Sequence, residues 1–502
     1  MRLLSVALMA VKTAVSRVAV PEIGHKLLGK WMQMRPLNAP NGLCLILLSF
    51  GCATTPPPQD EPPPNIVIIF ADDLGYGDLG SYGHPTIQTP NLDRMAAEGH
   101  RWTQFYVAAS VCSPSRAALL TGRLPVRNGM YGSRGRTRVF FPDSPNGMPH
   151  EEVTLAEVLK QRGYATGAFG KWHLGHLPDY LPGQQGFDEY FGIPYSNDMD
   201  LVKEYSMDLF REPEVESWNV PLIDGAEIVE RPAQQTTITR RYTERALDFI
   251  DRHHDEPFFL YLPHSMPHVP LFRSSEFVGS SAAGIYGDVI EEIDWSTGQV
   301  LAKLRGLDLA ERTLVVFTSD NGPWLVFGTH GGSAGLLNQG KGTTWEGGMR
   351  VPALFWWPGT IEPATVLDLG TTMDVFTTAV GLGGGELPDD RSIDGLDLSP
   401  VLFGTGSSPR DVVPFYRYNE LYAIRKGWFK AHFITQGEYG MGPDRTVHDP
   451  PLLYHLGHDP GERFDIGAEH PDVLQDLIAE ARRYRESVEV RPSVFDARPP
   501  AR

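Results

Sequence analysis

Charged and amide side chains follow four strands that the sequence predicts. The apolar runs NIVIIF, ATGAFG, FFLYL and TLVVFT alternate with helical patterns, which favours an α/β fold. Ligands of open α/β sheets bind beyond the carboxyl ends of the strands, so the residues after each run are candidate site residues. In chain order these residues are Asp72, Asp73, Lys171, His173, His264, His268, Asp320 and Asn321.

Three carboxylates would meet at one edge of the sheet if the strands before Asp72, Asp73 and Asp320 are neighbours. Two such charges about 4 Å apart repel by roughly 4 kcal/mol at an effective dielectric constant of about 20, so a cation would stabilise them. With the amide oxygen of Asn321 they form an all-oxygen set, which favours Ca²⁺ or Mg²⁺ over zinc or copper. Each pair taken alone also fits a helix cap or a turn. The combination indicates a hard divalent cation.

Positive side chains are predicted at the same edge. Lys171, His173 and His268 follow strands, and Lys341 lies in the segment GKGTTWEGG. Cationic groups beside a hard metal suit a tetrahedral oxyanion, such as sulfate or phosphate, during its transfer. The sequence therefore indicates chemistry on a sulfate or phosphate ester.

Cys112 opens the segment VCSPSRAALLTGR, whose pattern predicts a short helix. Ser113 is the expected cap, Pro114 fits the first helical position and Gly122 is the expected stop. A cysteine at a helix N-terminus usually has a lowered pKa and can act as a thiolate nucleophile. Soft sulfur is nevertheless a poor neighbour for a cation that selects oxygen ligands. An unmodified thiol therefore conflicts with the predicted metal site.

The segment CSPSRAALLTGR matches the C-x-P-S-R signature and thereby resembles type I sulfatases, in which the cysteine is converted to formylglycine after translation. Similarity to this family, and within it to the arylsulfatase A group, extends from NIVIIFADDLGYGDLG to PPLLYHLGHDPGE. The resemblance implies an alkaline-phosphatase-like α/β large domain with a central, mostly parallel mixed sheet flanked by helices. It also implies a smaller C-terminal α+β domain with an antiparallel sheet. The implied activity is that of a sulfuric ester hydrolase acting on an aryl or carbohydrate sulfate.

The resemblance also implies roles for individual residues. Arg116 would hold the formylglycine hydrate in place, and Ca²⁺, in preference to Mg²⁺, would be the cofactor. The implied metal ligands are Asp72, Asp73, Asp320, Asn321 and the modified Cys112. The implied sulfate-binding and proton-transfer groups are Lys171, His173, Ser196, His268 and Lys341. His268 matches the family histidine better than His264 by its spacing from Tyr261, while Ser196 and Lys341 also fit supporting roles beside the pocket.

The family mechanism explains why the cysteine is modified. One hydroxyl of the aldehyde hydrate at Cys112 would attack sulfur, with Asp320 as the base. His268 or Lys341 would protonate the leaving alcohol or phenol. The second hydroxyl, assisted by His173, would then expel sulfate, a step for which a serine or a thiol lacks the second hydroxyl.

Two other function classes are compatible with parts of the pattern. A phosphonate monoester or phosphodiester hydrolase could use the same residues, because the site recognises a tetrahedral anion. A non-catalytic Ca²⁺-binding surface lipoprotein is disfavoured, because every catalytic position is filled. The chain reads YSND where the arylsulfatase A group reads YSHD, so Asn197 leaves the substrate preference open. We expect the loops at residues 199–233 and 437–449 to determine it.

The N-terminal region predicts export. The predicted organisation is an upstream extension at 1–33, a signal peptide at 34–52, a Pro-rich linker at 53–64, a catalytic domain at 65–384 and a C-terminal subdomain at 385–495. LSFGCATT resembles a lipobox with Cys52 as the acylated residue, and an ordinary cleaved signal is the alternative. We expect a periplasmic or outer-surface enzyme that contacts a membrane only through such an anchor.

Composition and partners agree with this assignment. The net charge of −18 over 502 residues argues against nucleic acid or an anionic membrane as a partner. The expected partners are a sulfated small molecule or saccharide and, during maturation, a formylglycine-generating enzyme.

Overall fold

The computed structural model of the protein describes residues 62–132 and 137–497. The predicted upstream extension, signal peptide and acylated Cys52 lie outside the described residues, as does most of the Pro-rich linker. Within the described ranges, none of the helices is both long and apolar enough to cross a membrane.

A large mixed sheet forms the centre of the structure, with eleven strands among the described residues. These are β1 (Asn65–Ala71), β2 (His100–Tyr106), β3 (Ala165–Phe169), β4 (Glu189–Gly192), β5 (Leu222–Asp224), β6 (Glu227–Glu230), β7 (Phe258–Pro263), β8 (Thr313–Ser319), β9 (Arg350–Trp356), β10 (Ala364–Val366) and β11 (Gly370–Thr371). Their order is β10-β2-β9-β8-β1-β7-β3-β4-β5-β6, with β11 beside β2. The central run β8-β1-β7-β3-β4 is parallel throughout, whereas β9 and β5 are antiparallel to their neighbours.

The helices of the described residues are mostly connections between these strands. They are α1 (Pro90–Glu98), α2 (Cys112–Thr121), α3 (Pro125–Asn128), α4 (Leu155–Gln161), α5 (Asp208–Arg211), α6 (Ile238–Arg252), α7 (Gly284–Gly306), α8 (Glu346–Met349), α9 (Thr372–Leu382), α10 (Ser399–Leu402) and α11 (Pro471–Ser487).

Both faces of the large sheet are covered, as strand β1 illustrates. Ile66, Ile68 and Phe70 belong to one apolar core with side chains of α2, α4 and α9. Val67 and Ile69 belong to a second core with side chains of α1, α6 and α7. Successive residues of a strand point to opposite faces, so a strand buried on both faces is a continuous apolar run. This is the pattern from which the sequence predicted parallel strands.

Helix α2 begins and ends close to the predicted residues. It starts at Cys112, with Val111 as the N-cap, and stops at Gly122, which has a φ of 66°. The predicted cap at Ser113 is wrong, because the Oγ of Ser113 instead accepts a hydrogen bond of 3.2 Å from the Phe140 amide. Cys112 therefore lies in the first turn itself.

A second, antiparallel sheet of four strands follows near the C-terminus. Its strands, in order, are β12 (Val412–Arg417), β13 (Glu420–Lys426), β14 (Phe429–Thr435) and β15 (Thr446–His455). Helix α11 packs against this sheet through Leu474, Leu477 and Ala481. The predicted fold class is thus confirmed, while the boundary near residue 385 stays a prediction.

Buried ionic side chains join the two sheets. Lys430 Nζ of β14 donates to Glu346 Oε1 of α8 at 2.9 Å, and the Tyr106 hydroxyl of β2 donates to Glu346 Oε2 at 2.6 Å. Glu462 Oε1 lies 2.9 Å from Lys430 Nζ and 2.6 Å from His432 Nε2. We call Tyr106, Glu346, Lys430, His432 and Glu462 the inter-sheet cluster. Burial would raise the pKa of Glu346, but Lys430 and two arginines outweigh it and lower that pKa to about 2.

Candidate active site

The carboxyl ends of four neighbouring parallel strands carry the residues that the sequence singled out. The sheet order β8-β1-β7-β3 makes these strands adjacent. The side chains that meet there are Asp320 and Asn321 after β8, Asp72 and Asp73 after β1, His268 after β7, and Lys171 after β3. The prediction that these strand ends lie together is therefore correct.

Two lysines pair with the aspartates that follow β1. Lys171 Nζ donates a hydrogen bond of 2.5 Å to Asp72 Oδ2, and Lys341 Nζ donates one of 2.7 Å to Asp73 Oδ2. All four side chains are buried. The chain's own cations thus supply part of the charge compensation at this edge, next to the site where the sequence indicates a metal.

Arg116 of α2 links the same aspartates to the end of β8. Its Nε and Nη2 atoms donate to Asp320 Oδ2 at 3.0 and 2.9 Å, and its Nη1 donates to the Lys171 carbonyl at 2.8 Å. Nη2 also lies 3.5 Å from Asp72 Oδ1. This planar, fully buried guanidinium therefore holds the ends of β1, β3 and β8 at fixed distances from one another.

Cys112 lies inside this group of charges. Its Sγ is 3.5 Å from Asp72 Oδ1. Burial raises the pKa of the Cys112 thiol well above its usual range, against the charges of Lys171 and Lys341. The lowering expected from the helix N-terminus is therefore outweighed, and an unmodified thiol stays protonated here.

The three aspartates do not ionise equally. Burial would raise the pKa of Asp72, but Lys171 and other cations hold it well below its usual range. Burial raises the pKa of Asp73 against the charge of Lys341, and Asp72 adds to the increase. Burial and the charge of Asp72 raise the pKa of Asp320 to about 7, against Arg116. An added cation would favour the ionised form of all three.

One group of potential ligand atoms is compact enough to hold a metal ion. Atoms of Asp72, Asp73, Cys112 and His268 all lie within 4.8 Å of one another. Asp320 joins this group through its Oδ1, which accepts a hydrogen bond of 3.0 Å from the Asp73 amide. His268 was expected to contact substrate, and its nitrogen, like the sulfur of an unmodified Cys112, is a donor that a hard cation does not prefer.

Asn321 gives an independent test of whether these residues fit a cation. Its Nδ2 donates to Asp73 Oδ1 at 2.7 Å. Its Oδ1 is buried and has no hydrogen-bond partner in the described part of the chain. A buried acceptor without a partner is costly, and a hard cation beside the aspartate oxygens would satisfy it. The oxygen-rich donor set therefore fits Ca²⁺ or Mg²⁺.

Of the two histidines after β7, only His268 lies at this site. Its Nε2 is 3.3 Å from Ser196 Oγ, which also accepts a hydrogen bond of 3.1 Å from Lys171 Nζ. His264 instead lies 3.3 Å from Ser296 Oγ, and burial lowers its pKa to about 3. The preference for His268 over His264 thus agrees with the geometry, which also brings Ser196 to Lys171.

His173 lies beside this group, and its ring bonds a backbone carbonyl. Its Nε2 donates to the Phe140 carbonyl at 2.9 Å, which leaves Nδ1 as the acceptor of a neutral ring. That Nδ1 is buried and unpaired with any described residue. Burial and the charge of Lys171 lower the pKa of His173 well below its usual range. His173 and Asp73 also have φ values of 62° and 66°, strain that is typical of functional sites.

Two aromatic residues near the site were not singled out from the sequence. Trp324 lies with its ring centroid 4.1 Å from Lys341 Nζ and 5.1 Å from the His268 ring. Tyr439 packs against Trp324 at 5.1 Å between centroids. Trp324 follows Asp320 by only four positions, and this proximity could have indicated from the sequence that it lies near the site. Tyr439 lies in the loop expected to determine specificity, but no motif marked it.

Comparison with known proteins identifies the family. The Sulfatase family model matches residues 64–385, and the model for the C-terminal region of aryl-sulfatase matches residues 408–499. Arylsulfatase A of Bos taurus is 43% identical over 455 residues, covering 86% of this chain and 88% of that protein. N-acetylgalactosamine-6-sulfatase of Canis lupus familiaris is 41% identical over 490 residues, covering 91% and 92%.

A solved structure agrees with these sequence matches. The PsFucS1 sulfatase from Pseudoalteromonas sp. superposes with a TM-score of 0.75 at 28% identity, covering 88% of this chain and 92% of that one. The fold, the two family models and the two relatives thus agree over nearly all of the described residues. The chain belongs to the sulfatase family and is a sulfuric ester hydrolase with an alkaline-phosphatase-like fold.

Proposed function

We propose that the protein hydrolyses an aryl or carbohydrate sulfate with formylglycine formed from Cys112 and with Ca²⁺ bound by Asp72, Asp73, Asp320 and Asn321. The position of Cys112 carries this proposal. Its Sγ lies in the first turn of a buried helix, 3.5 Å from Asp72 Oδ1. A side chain at this position faces the carboxylates that would hold the cation. An oxygen nucleophile is compatible with such a hard cation, whereas a thiol is not.

Formylglycine at position 112 would supply a hydrate with two hydroxyl groups on one carbon, one to attack sulfur and one to expel sulfate. Ca²⁺ would neutralise the neighbouring carboxylates and polarise the sulfate. We prefer Ca²⁺ to Mg²⁺ because three carboxylates and an amide oxygen are more protein ligands than the one or two carboxylates through which Mg²⁺ is usually held. Arg116, fully buried between β1, β3 and β8, would keep the nucleophile in place.

Lys171, Ser196 and Lys341 would bind the sulfate group. A lysine ammonium carries three donors, so Lys171 and Lys341 keep donors for substrate while each bonds one aspartate. Their charges lie on two sides of Asp72 and Asp73, next to position 112. Fixed donors around a tetrahedral anion stabilise the charge that develops during transfer.

Two neutral histidines would move protons. Burial and the charge of Lys341 lower the pKa of His268 well below its usual range, and a bound anion would raise it again. His268 is therefore our proton donor to the leaving oxygen, with Lys341 as a fixed charge. His173, whose Nδ1 is an unpaired acceptor, would take the proton of the second hydroxyl.

The relatives narrow the choice of ester. Two of them are named for aryl sulfate and for N-acetylgalactosamine-6-sulfate, which supports sulfate in preference to phosphonate as the reacting group. We further propose that the enzyme is exported to the periplasm or outer surface, with Cys52 as a lipid anchor. A formylglycine-generating enzyme would mature it on the way.

The test combines mass spectrometry with turnover. In protein produced with a formylglycine-generating enzyme, the tryptic peptide of residues 102–116 should lose sulfur and gain an aldehyde. Release of sulfate from 4-nitrophenyl sulfate should rise in proportion to the modified fraction, and added chelator should abolish it until Ca²⁺ is restored. Activity in fully unmodified protein, or a strong preference for an aryl phosphonate ester, would overturn the proposal.

A further inference from the structure

We infer that Trp324 and Tyr439 form the binding face for the ring that carries the sulfate, so that the enzyme selects ring-borne sulfate esters over open-chain ones. This inference rests on the proposed function. It assigns a specificity-determining role to two side chains, one from each sheet region of the molecule.

Trp324 lies next to the groups proposed to face the leaving oxygen. Its ring centroid is 4.1 Å from Lys341 Nζ and 5.1 Å from that of His268. Lys341 Nζ in turn donates a hydrogen bond to the Asp73 carboxylate. The Trp324 ring therefore contacts both groups proposed to act near the leaving oxygen, so the alcohol or phenol part of a bound ester would lie within reach of it.

Tyr439 continues this face toward solvent. It packs on Trp324 with ring centroids 5.1 Å apart and an angle of 55° between the rings. Two faces at that angle make a corner, which can contact one face and one edge of a six-membered ring. Tyr439 is 39% exposed as a whole residue, whereas Lys341 is 6% exposed. Burial raises the pKa of the Tyr439 hydroxyl against the charge of Lys341, so the hydroxyl end of the ring faces the site.

A single cleft connects these side chains. It is lined by Lys341, Trp324 and Tyr439, together with Gln339, Glu438 and Met441. The two rings thus border the same cleft as Lys341, which places them beside a group proposed to bind the sulfate.

The segment that carries Tyr439 is held in place. Glu438 and Met441 exchange two backbone hydrogen bonds of 3.0 and 2.9 Å, which form a tight turn. The Glu438 carboxylate pairs with Arg138 at 3.4 Å and also with Arg417. Tyr439 is therefore presented on a fixed turn and keeps its orientation before a ligand arrives, which lowers the entropy cost of binding.

Aromatic faces suit one kind of leaving group. They stack on aryl rings and on the apolar face of a pyranose, and such contacts strengthen binding by about 3- to 10-fold beyond simple burial of area. A flexible alkyl chain has no flat face to offer, and it loses rotational freedom when it is ordered. We therefore expect the enzyme to prefer both classes of ring sulfate over an alkyl sulfate.

The experiment compares 4-nitrophenyl sulfate and a galactopyranoside 6-sulfate with hexyl sulfate, the last measured as a competitor if its turnover is slow. For Tyr439→Ala we expect KM for both ring sulfates to rise about 3- to 10-fold with kcat little changed. The inhibition constant of hexyl sulfate should stay as in the wild type. Tyr439→Phe should resemble the wild type, and Tyr439→Leu, which keeps the bulk, should resemble Tyr439→Ala.

Trp324→Ala should weaken the binding of ring sulfates more than Tyr439→Ala does. It should also lower kcat, since the Trp324 ring lies over Lys341. Trp428→Ala is the matched control, because Trp428 is a similarly exposed aromatic residue (42%) in the turn between β13 and β14. Trp428→Ala should leave unchanged the KM of both ring sulfates and the inhibition constant of hexyl sulfate. Calorimetric binding of the ring sulfates to Cys112→Ala protein, which cannot turn over, measures the same affinities without catalysis.

The outcomes separate the two proposals. If the wild type hydrolyses no sulfate ester, the proposed function fails. Suppose instead that the wild type hydrolyses ring sulfates. If Tyr439→Ala and Tyr439→Leu then weaken the binding of hexyl sulfate as much as that of the ring sulfates, or weaken the binding of neither, this inference alone is overturned.

Discussion

Glu346 in the inter-sheet cluster and Asp320 in the active site are both fully buried carboxylates beside cations, yet their pKa values move in opposite directions. Burial would raise both, but the pKa of Glu346 is lowered to about 2, because Lys430, Arg350 and Arg425 outweigh the burial. The pKa of Asp320 is raised to about 7, since burial and the charges of Asp72 and Asp73 outweigh Arg116 and Lys171.

The difference distinguishes a structural ionic cluster from a functional one. The inter-sheet cluster joins two sheets, and its own cations keep the pKa of Glu346 low, although His432 Nδ1 is buried without a hydrogen-bond partner among the described residues. The active-site cluster keeps a carboxylate with a raised pKa, and it keeps a buried amide oxygen with no partner among the described residues. Such a site gains from binding an external cation and, through its lysines, an external anion.

The largest expected effect is on activity. Cys112→Ala removes the proposed precursor of the nucleophile, so kcat should fall by roughly 10⁴-fold or more. The free energy of unfolding should change little, because a protonated buried thiol makes one long contact to Asp72. Assay of sulfate release beside urea unfolding checks both parts, and retention of activity would contradict the assignment.

A substitution in the inter-sheet cluster should lower stability and leave activity nearly unchanged. Glu346→Gln removes one of the two carboxylates that pair with the buried Lys430 and leaves Glu462 as the other, so the free energy of unfolding should fall by about 3 kcal/mol, the lower end of the cost of breaking a buried ion pair. In the protein that remains folded, KM and kcat should be close to those of the wild type. A loss of kcat without a loss of stability would show that the two clusters are not separate in function.

Calcium should stabilise the folded protein through the active-site carboxylates and not through the inter-sheet cluster. At a free concentration 100 times the Kd, Ca²⁺ should add about 2.7 kcal/mol to the stability of the protein. Asp320→Asn should weaken this response, because it removes a ligand charge, while Glu346→Gln should keep it. Thermal unfolding with and without Ca²⁺ measures the difference, and an equal response in both variants would argue against the assigned ligands.

The smallest effect concerns pH. The pKa of Glu346 is about 2 in the folded protein against 4.5 as its ordinary value. A lowered pKa stabilises the folded state above about pH 4.5, and that contribution is lost as the pH falls toward 2. The difference in unfolding free energy between wild type and Glu346→Gln should therefore be about 1 kcal/mol smaller at pH 4 than at pH 7. No dependence on pH in this range would mean that Glu346 is not a charged partner of Lys430.

Much of the active site could be predicted because it follows local rules. Buried strands are apolar runs, and ligands gather at their carboxyl ends, so Asp72 and Asp320 were recognisable without coordinates. The segment around Cys112 combines a helix pattern with a family signature in one short stretch. The Ser113 cap was predicted wrongly, because its hydroxyl bonds Phe140, a residue far along the chain.

The sequence by itself determined the strands, the residues at their ends and the helix that begins at Cys112, because each depends on neighbours within a few positions. Tertiary structure alone decided which cation pairs with which carboxylate, how burial shifts the pKa of Cys112, and that Glu346 joins the two sheets. It also brought Tyr439 onto Trp324 across 115 positions of chain. Electrostatic energies and aromatic contacts depend on distance in space, which residue types and local spacing do not specify.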